Sequence, residues 1–366
     1  MSESLDLGSP DDLHNVDLEL DPNEASGMTT VDHDDDLLER LGWHIGFWVV
    51  LDEGRVENCI ALIGREQATD QPDEGWQVHR LQCEEQEEEF EDCESVARSG
   101  QMIYVFGSQF GSKDGPLQTK RHFIARFDES QITIEDGEPR VELEVAALPF
   151  RLHQMVNIAL RERGIDLFPL GPESREEFIT ETRQEAIEDE EEWYWRIRYD
   201  DHPINIEGVT FRDDGSALLG LRNPVTERGN PIIVQLEHIE GFFERDAPEP
   251  VIEGVWTVDN LGSAHEYVGI RDLQSRGDTV ELLVGNIEAV GEGSLILEEH
   301  PEGGTAVSTH WRAVFPTDRR GGSVTAQFIR GFGELTRVEG IAADADGRFF
   351  YVSDEDEKVK TRFMEV

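Results

Sequence analysis

The chain has 366 residues, of which 80 are Asp or Glu and 32 are Lys or Arg, giving a formal charge of −48 at pH 7. That charge excludes nucleic acid and anionic lipid as bulk partners. The 37% of hydrophobic residues and the seven Trp exclude an acidic disordered chain.

Only four cations are lysines: Lys113, Lys120, Lys358 and Lys360. An acidic excess spread over the whole length fits a salt-adapted protein. In molar salt the Debye length falls to ~3 Å and surface repulsion is screened. No apolar stretch approaches the ~20 residues that a membrane span needs. Residues 1–21 carry no basic n-region, twin arginine or apolar h-region, so a cytoplasmic location is expected. Cys59, Cys83 and Cys93 are an odd number with no C-x-x-C spacing, which fits reduced thiols rather than a zinc or redox role.

In chain order, residues 1–14 read as a disordered acidic tail and 15–366 as one domain. Val16 to Leu20 alternates at period two, a short strand. A phrase then recurs: an acidic residue, a small one, an aliphatic one, a turn, an apolar strand and a polar tip. Its clearest copies run from Glu207-Gly208-Val209 to Leu221-Arg222-Asn223 and from Glu339-Gly340-Ile341 to Val352-Ser353-Asp354. Glu94-Ser95-Val96 leads to Gly107-Ser108, and Asp272-Leu273 leads to Gly285-Asn286. A fainter first copy starts at Ser26-Gly27-Met28 and, after an insertion, reaches Leu51-Asp52-Glu53. Glu84 to Asp92 is an acidic loop between repeats.

Successive small residues lie 68, 113, 64 and 68 positions apart. The long interval contains an amphipathic helix over Pro149 to Glu162, ending near Gly164, and a second helix over Ser174 to Ile187 with Ser174 as N-cap. Trp193 to Ile197 returns to strand-like character. The expected fold is therefore an all-β, single β-propeller with a helical insertion at about 149–190. Five blades fit this spacing better than six. After the last phrase only about three strands remain, ending at Met364, so the N-terminal strand is expected to close the C-terminal blade.

The phrases at Asn205 to Val209, Leu219 to Pro224 and Gly269 to Leu273, with Gly107-Ser108-Gln109 through Arg121 and Phe123 to Phe127, resemble the uncharacterised domain of unknown function 3616 family over roughly residues 24–366. The resemblance implies a propeller-like fold and supplies no activity. A more distant likeness links the Glu-Gly phrases to phytase-like esterase domains and to calcium-dependent lactonases of propeller fold. The first copy, with its insertion after Asp32, and the fourth, with Arg271-Asp272 in place of Glu-Gly, depart from the pattern.

If each phrase opens an inner strand, its start and its tip fall on one face of the ring. This places Glu94, Glu207, Asp272 and Glu339 at one channel mouth, joined by Asp52, Glu53, Ser108, Arg222, Asn223, Asn286, Ser353 and Asp354. Glu94, Glu207, Asp272, Asn286, Glu339 and Asp354 offer oxygen ligands suited to Ca²⁺ or another divalent cation. Such a cation could polarise an ester, lactone or phosphate ester. In the opposing reading the glutamates satisfy backbone N–H groups of a neighbouring blade, or pair with Arg98, Arg222 and Arg271. A second cationic group, Lys113, Lys120, Arg121, His122 and Arg126, suggests a small anionic ligand, with Arg222, Asn223 and Arg271 helping to hold it. The competing reading is that these cations neutralise the protein's own acidic loops. The histidines show no metal-ligand spacing, and no nucleophile elbow, P-loop or dinucleotide fingerprint is present. A metal-assisted hydrolase and a non-catalytic, monomeric propeller that binds a protein or small ligand both remain open.

Overall fold

The computed structural model describes residues 13–19, 24–32, 36–52, 54–66, 73–263, 265–287, 294–304, 306–333, 337–353 and 359–364. Most of the expected acidic tail, together with Glu53 and Asp354, lies outside the described residues. The described chain is mostly β, with antiparallel hairpins of consecutive strands making up most of each sheet.

Strand β1 (His14–Leu18) precedes a four-stranded sheet of β2 (Ala25–Thr30), β3 (Trp43–Leu51), β4 (Ile60–Glu66) and β5 (Trp76–Arg80). A second sheet holds β6 (Cys93–Ser99), β7 (Met102–Gly107), β8 (Phe123–Asp128) and, after the small hairpin of β9 (Thr133–Glu135) and β10 (Glu138–Arg140), β11 (Glu144–Ala147). An eight-stranded sheet follows. One half is β12 (Asn205–Phe211), β13 (Ala217–Asn223), β14 (Ile232–Glu237) and β15 (Val251–Asp259). The other half is β16 (Gly269–Arg276), β17 (Thr279–Gly285), β18 (Thr309–Val314) and β19 (Gly322–Gly331). The halves join where outer strands β15 and β19 pair in parallel, Trp256 opposite Gly322 through Asp259 opposite Thr325. Each outer strand thus covers an edge the other would expose. The last sheet is β20 (Val338–Ala343), β21 (Phe349–Ser353), β22 (Val359–Met364) and β1, with Val16 opposite Thr361. The N-terminal strand therefore does complete the C-terminal sheet.

Inner strands β2, β6, β12, β16 and β20 touch in succession, and β20 touches β2, so they encircle one axis. Burial follows from that position. Strands β12 and β13 are buried along their whole length, having protein on both faces, whereas the outer strand β5 is half-exposed throughout.

The insertion forms as expected in its first part. Helix α1 (Leu37–Leu41) lies in the first sheet's loop, and α2 (Arg151–Glu162) ends at Gly164, whose φ of +62° suits glycine. Its second part differs. The helical segment begins at Pro172, with Gly171 before it, and runs through a π-helical stretch, Glu176–Glu181, to Glu188. Ser174 is thus a buried first-turn residue. The first turn is capped from outside, because the Glu299 carboxylate accepts from Glu173 N at 2.9 Å and Ser174 N at 3.2 Å. Trp193 to Ile197 is a 3₁₀ turn, Tyr194–Arg196, not a strand: no sheet edge is offered to it, and Trp193 stacks on Phe150 with centroids 4.4 Å apart.

The thiol expectation is corrected as well. Cys59 and Cys93 form a disulfide that joins the first sheet to the second. They stand 34 residues apart in sequence, yet adjacent sheets bring them together. Only Cys83 is a free thiol, pushed up to about 12 by burial and by Glu57 nearby.

Candidate functional site

Every inner hairpin breaks register at the same place. The ladder skips one residue between Ala25 and Gly27, Cys93 and Ser95, Ile206 and Gly208, Ile270 and Asp272, and Val338 and Gly340. The skipped residues are Ser26, Glu94, Glu207, Arg271 and Glu339. A bulge leaves its extra residue unpaired and re-aims its side chain. The acidic residue of the repeated phrase is therefore the bulge residue.

The position after the bulge is Gly27, Ser95, Gly208, Asp272 or Gly340. Small residues belong there because inner strands meet. A Cβ on Gly27 would lie 3.0 Å from Ser95 Cα, and one on Gly340 would lie 3.2 Å from Gly27 C. Asp272 uses the same junction differently. Its carboxylate accepts from Leu273 N at 2.8 Å, Ile341 N at 2.8 Å and Met28 N at 3.3 Å, tying β16 to β20 and β2. Burial holds this carboxyl well above the usual range, against those three N–H groups. Asp272, expected among the metal ligands at the mouth, is spent on backbone, and Arg271 takes the mouth position in its hairpin.

Around the bulges lies a buried lattice. Glu207 accepts from Arg222 and, at 3.2 Å each, from Asn205 Nδ2 and Arg271 Nη1. Arg271 Nη1 also donates to Glu339 at 2.7 Å. The Asn286 Oδ1 accepts from Arg271 Nη2 at 2.9 Å and Arg222 Nη2 at 3.3 Å. Burial opposes the charge of Arg222, but Glu207, Glu339 and Glu94 outweigh it and hold the guanidinium protonated. Asn223 turns away to donate to Pro203 O at 2.7 Å. Of the expected cation ligands, Glu207, Asn286 and Asp272 are already accepting from the protein and Glu339 is ion-paired. Two guanidiniums, of Arg222 and Arg271, stand among these carboxylates. Among the described residues no group of three or more His, Cys, Asp or Glu is arranged to hold a metal ion.

Glu94 is the exception in this lattice. It is half-buried, and its carboxyl has no hydrogen-bond or ion-pair partner among the described residues. Burial, then Glu207, Asp92 and Asp52, push it well above the usual carboxylate range, with only Arg222 opposing. Asp92 entered the sequence reading only as the end of the acidic loop that starts at Glu84. It precedes β6 with a φ of 68° and pairs with Arg121 at 3.0 Å. Its carboxyl is also raised, first by burial, although Arg121 and Ser108 oppose the shift. A left-handed residue two positions before a bulge glutamate is a signal no spacing rule contains.

The lysine-containing loop lies against the protein's own acids. Lys120 pairs with Glu91 at 2.7 Å, and Arg121 donates to Gly111 O at 2.8 Å besides its contact with Asp92. Arg126 pairs with Glu144 at 2.7 Å and Glu244 at 3.3 Å. The Lys113 carbonyl accepts from Leu295 N at 3.3 Å. His122 is buried against Phe150, centroids 4.0 Å apart, and burial with His153 nearby keeps its ring well below the usual histidine range.

The insertion covers part of this mouth. Phe168, Phe178, Ile179 and Ile197 pack on Phe110, Leu117, Val225 and Tyr267, which lie in or beside the tip loops of three hairpins. Leu117 N donates to Thr182 Oγ1 at 2.9 Å.

No family model matches the chain, and no curated protein matches it either. Solved structures do align along most of its length. A mannose phosphorylase of Leishmania mexicana aligns at TM-score 0.40 and 12% identity, over 96% of this chain and 88% of that one. The glutaminyl cyclase of Myxococcus xanthus aligns at TM-score 0.38 and 11% identity, over 96% and 95%. A Trichoderma reesei carbohydrate-active enzyme of family AA12 aligns at TM-score 0.37 and 10% identity, over the full length of both. These likenesses carry no activity to this chain.

Proposed function

We propose that the protein is a five-bladed β-propeller, working in concentrated salt, that binds a small polar ligand at the capped mouth of its channel, with Glu94 as the group that engages it. The ring of five inner strands, each opening its own antiparallel group, supports the blade number. Glu94 carries the binding reading. Polar groups inside proteins are as a rule partnered, and this carboxyl stays open beside charged neighbours that are paired.

Asp52, Asp92 and Glu207 make the surroundings of Glu94 negative, and Arg222 and Arg271 are committed to glutamates. This favours a hydroxyl-bearing or amine ligand over an anion. A second reading, hydrolysis of an ester, lactone or phosphate ester, is favoured by the raised carboxyl of Glu94. A carboxyl kept protonated can donate to a leaving oxygen.

The test is a thermal-shift screen of polyols, sugars and amines in concentrated KCl on the wild type and Glu94→Gln, followed by an ester, lactone and phosphoester turnover screen. One ligand class should raise the melting temperature of the wild type alone. Equal stabilisation of both proteins, or of neither, removes the binding reading, and turnover lost in the variant supports the hydrolytic one.

A further inference from the structure

We propose a second ligand site, in a cleft between the helical insertion and the end of the second sheet, where Arg151 and Arg196 take a small anion bearing a phosphate or carboxylate group. The cleft encloses about 540 Å³ and is walled by Pro149, Trp193 and Phe242 along with the two arginines. None of its lining residues belongs to the Arg–Glu lattice at the mouth.

The charges in it are unusual for this chain. Arg196 has no carboxylate partner among the described residues, although the acidic run 189–192 lines the same cleft. One of its nitrogens donates to Pro149 O, and its guanidinium lies over Trp195 at 5.7 Å. Arg151 pairs with the exposed Glu249 at 2.7 Å and lies over Phe242 at 4.8 Å. A half-buried guanidinium beside a second one repels it and loses hydration, and burial together with Arg151 lowers the Arg196 pKa from its ordinary value. Among the described residues the only carboxylate paired with either guanidinium is the exposed Glu249.

A third source of positive potential faces the same place. Arg151 is the first residue of α2, a 12-residue helix with no acidic residue in its first turn and no side-chain cap. Arg151 N already donates to Leu148 O at 2.9 Å, and the dipole with the remaining first-turn N–H groups favours an anion there. Paired guanidiniums suit the planar or tetrahedral oxygens of carboxylate and phosphate, which they bind in forks. Trp193, stacked on Phe150, gives the cleft a flat aromatic wall.

The experiment titrates inorganic phosphate, and separately citrate, into the full chain at constant KCl, read by thermal shift and calorimetry. At least one should bind saturably, and the stronger of the two identifies the anion class. Arg151→Gln and Arg196→Gln should each weaken it about tenfold or more. Arg196→Lys should retain part of the affinity, because it keeps charge but loses the fork. Arg198→Gln, which removes only the exposed pair with Asp200, should bind as the wild type does. Absence of saturable binding in the wild type overturns the proposal. So does wild-type affinity in Arg196→Gln, even if that variant melts earlier for want of its bond to Pro149.

Discussion

Arg271 stands at the bulge of its hairpin where Glu207 stands at the bulge of the preceding one, and it donates to Glu207 at 3.2 Å and to Glu339 of the following hairpin at 2.7 Å. One exchanged charge in the ring lets the two buried glutamates on either side keep theirs.

Arg271→Gln should therefore cost roughly 3–5 kcal/mol, the usual effect of stranding a buried partner. Adding Glu339→Gln should return part of the loss. Denaturant unfolding in concentrated KCl measures both, and strict additivity would show that the two residues do not act as a pair.

The Glu94 carboxyl is raised in the folded state, so it favours folding at pH values below its unfolded pKa and loses that contribution as pH rises through the folded value. Glu94→Gln removes this loss. The variant should gain stability relative to the wild type as pH rises above the ordinary glutamate value, because the shift in the folded state is upward. A difference that stays flat with pH would place Glu94 in water rather than in the funnel.

Dilution of salt should unfold the protein. With 80 carboxylates against 32 cations, repulsion grows as the Debye length lengthens from ~3 Å toward ~10 Å. Circular dichroism across a KCl series reads this directly. Equal structure at both ends would mean that local pairs such as Lys120 with Glu91 suffice to hold the surface.

Reduction should also destabilise. Closing a loop of this length contributes roughly 3–4 kcal/mol in the chain-entropy account. Cys59→Ser and a reductant should each lower the melting temperature by the same amount, whereas Cys83→Ser should change it little. A reductant effect that persists in Cys59→Ser would point away from this bond.

The sequence made the hairpins, the closing N-terminal strand and α2 legible, because each rests on local periodicity or on chain length. The phrase and its tip also brought out Glu94, Glu207, Arg222 and Asn286, which lie together at the bulges. Asp272 was misplaced because a bulge shifts which residue faces the mouth by one position, and nothing in the local pattern shows a bulge. The pairing of Cys59 with Cys93 depends on which sheets are neighbours, a long-range fact. Trp193 to Ile197 has strand composition, but strand formation needs an edge to pair with, and the insertion offers none.

The parallel pairing of β15 with β19 makes the molecule a hoop with unequal joints. That joint is clasped by hydrogen bonds, the one between the first two sheets by a covalent bond, and the last sheet is knitted to the chain's own beginning. Between the second sheet and the β12 sheet the ties are a backbone bond from Ile206 N to Ser108 O at 2.8 Å, the Arg126–Glu244 pair at 3.3 Å and apolar packing beneath the insertion. The helical insertion that roofs the mouth is thus also a strap across that joint, its residues Leu152, Val156 and Leu160 sharing one core with both sheets.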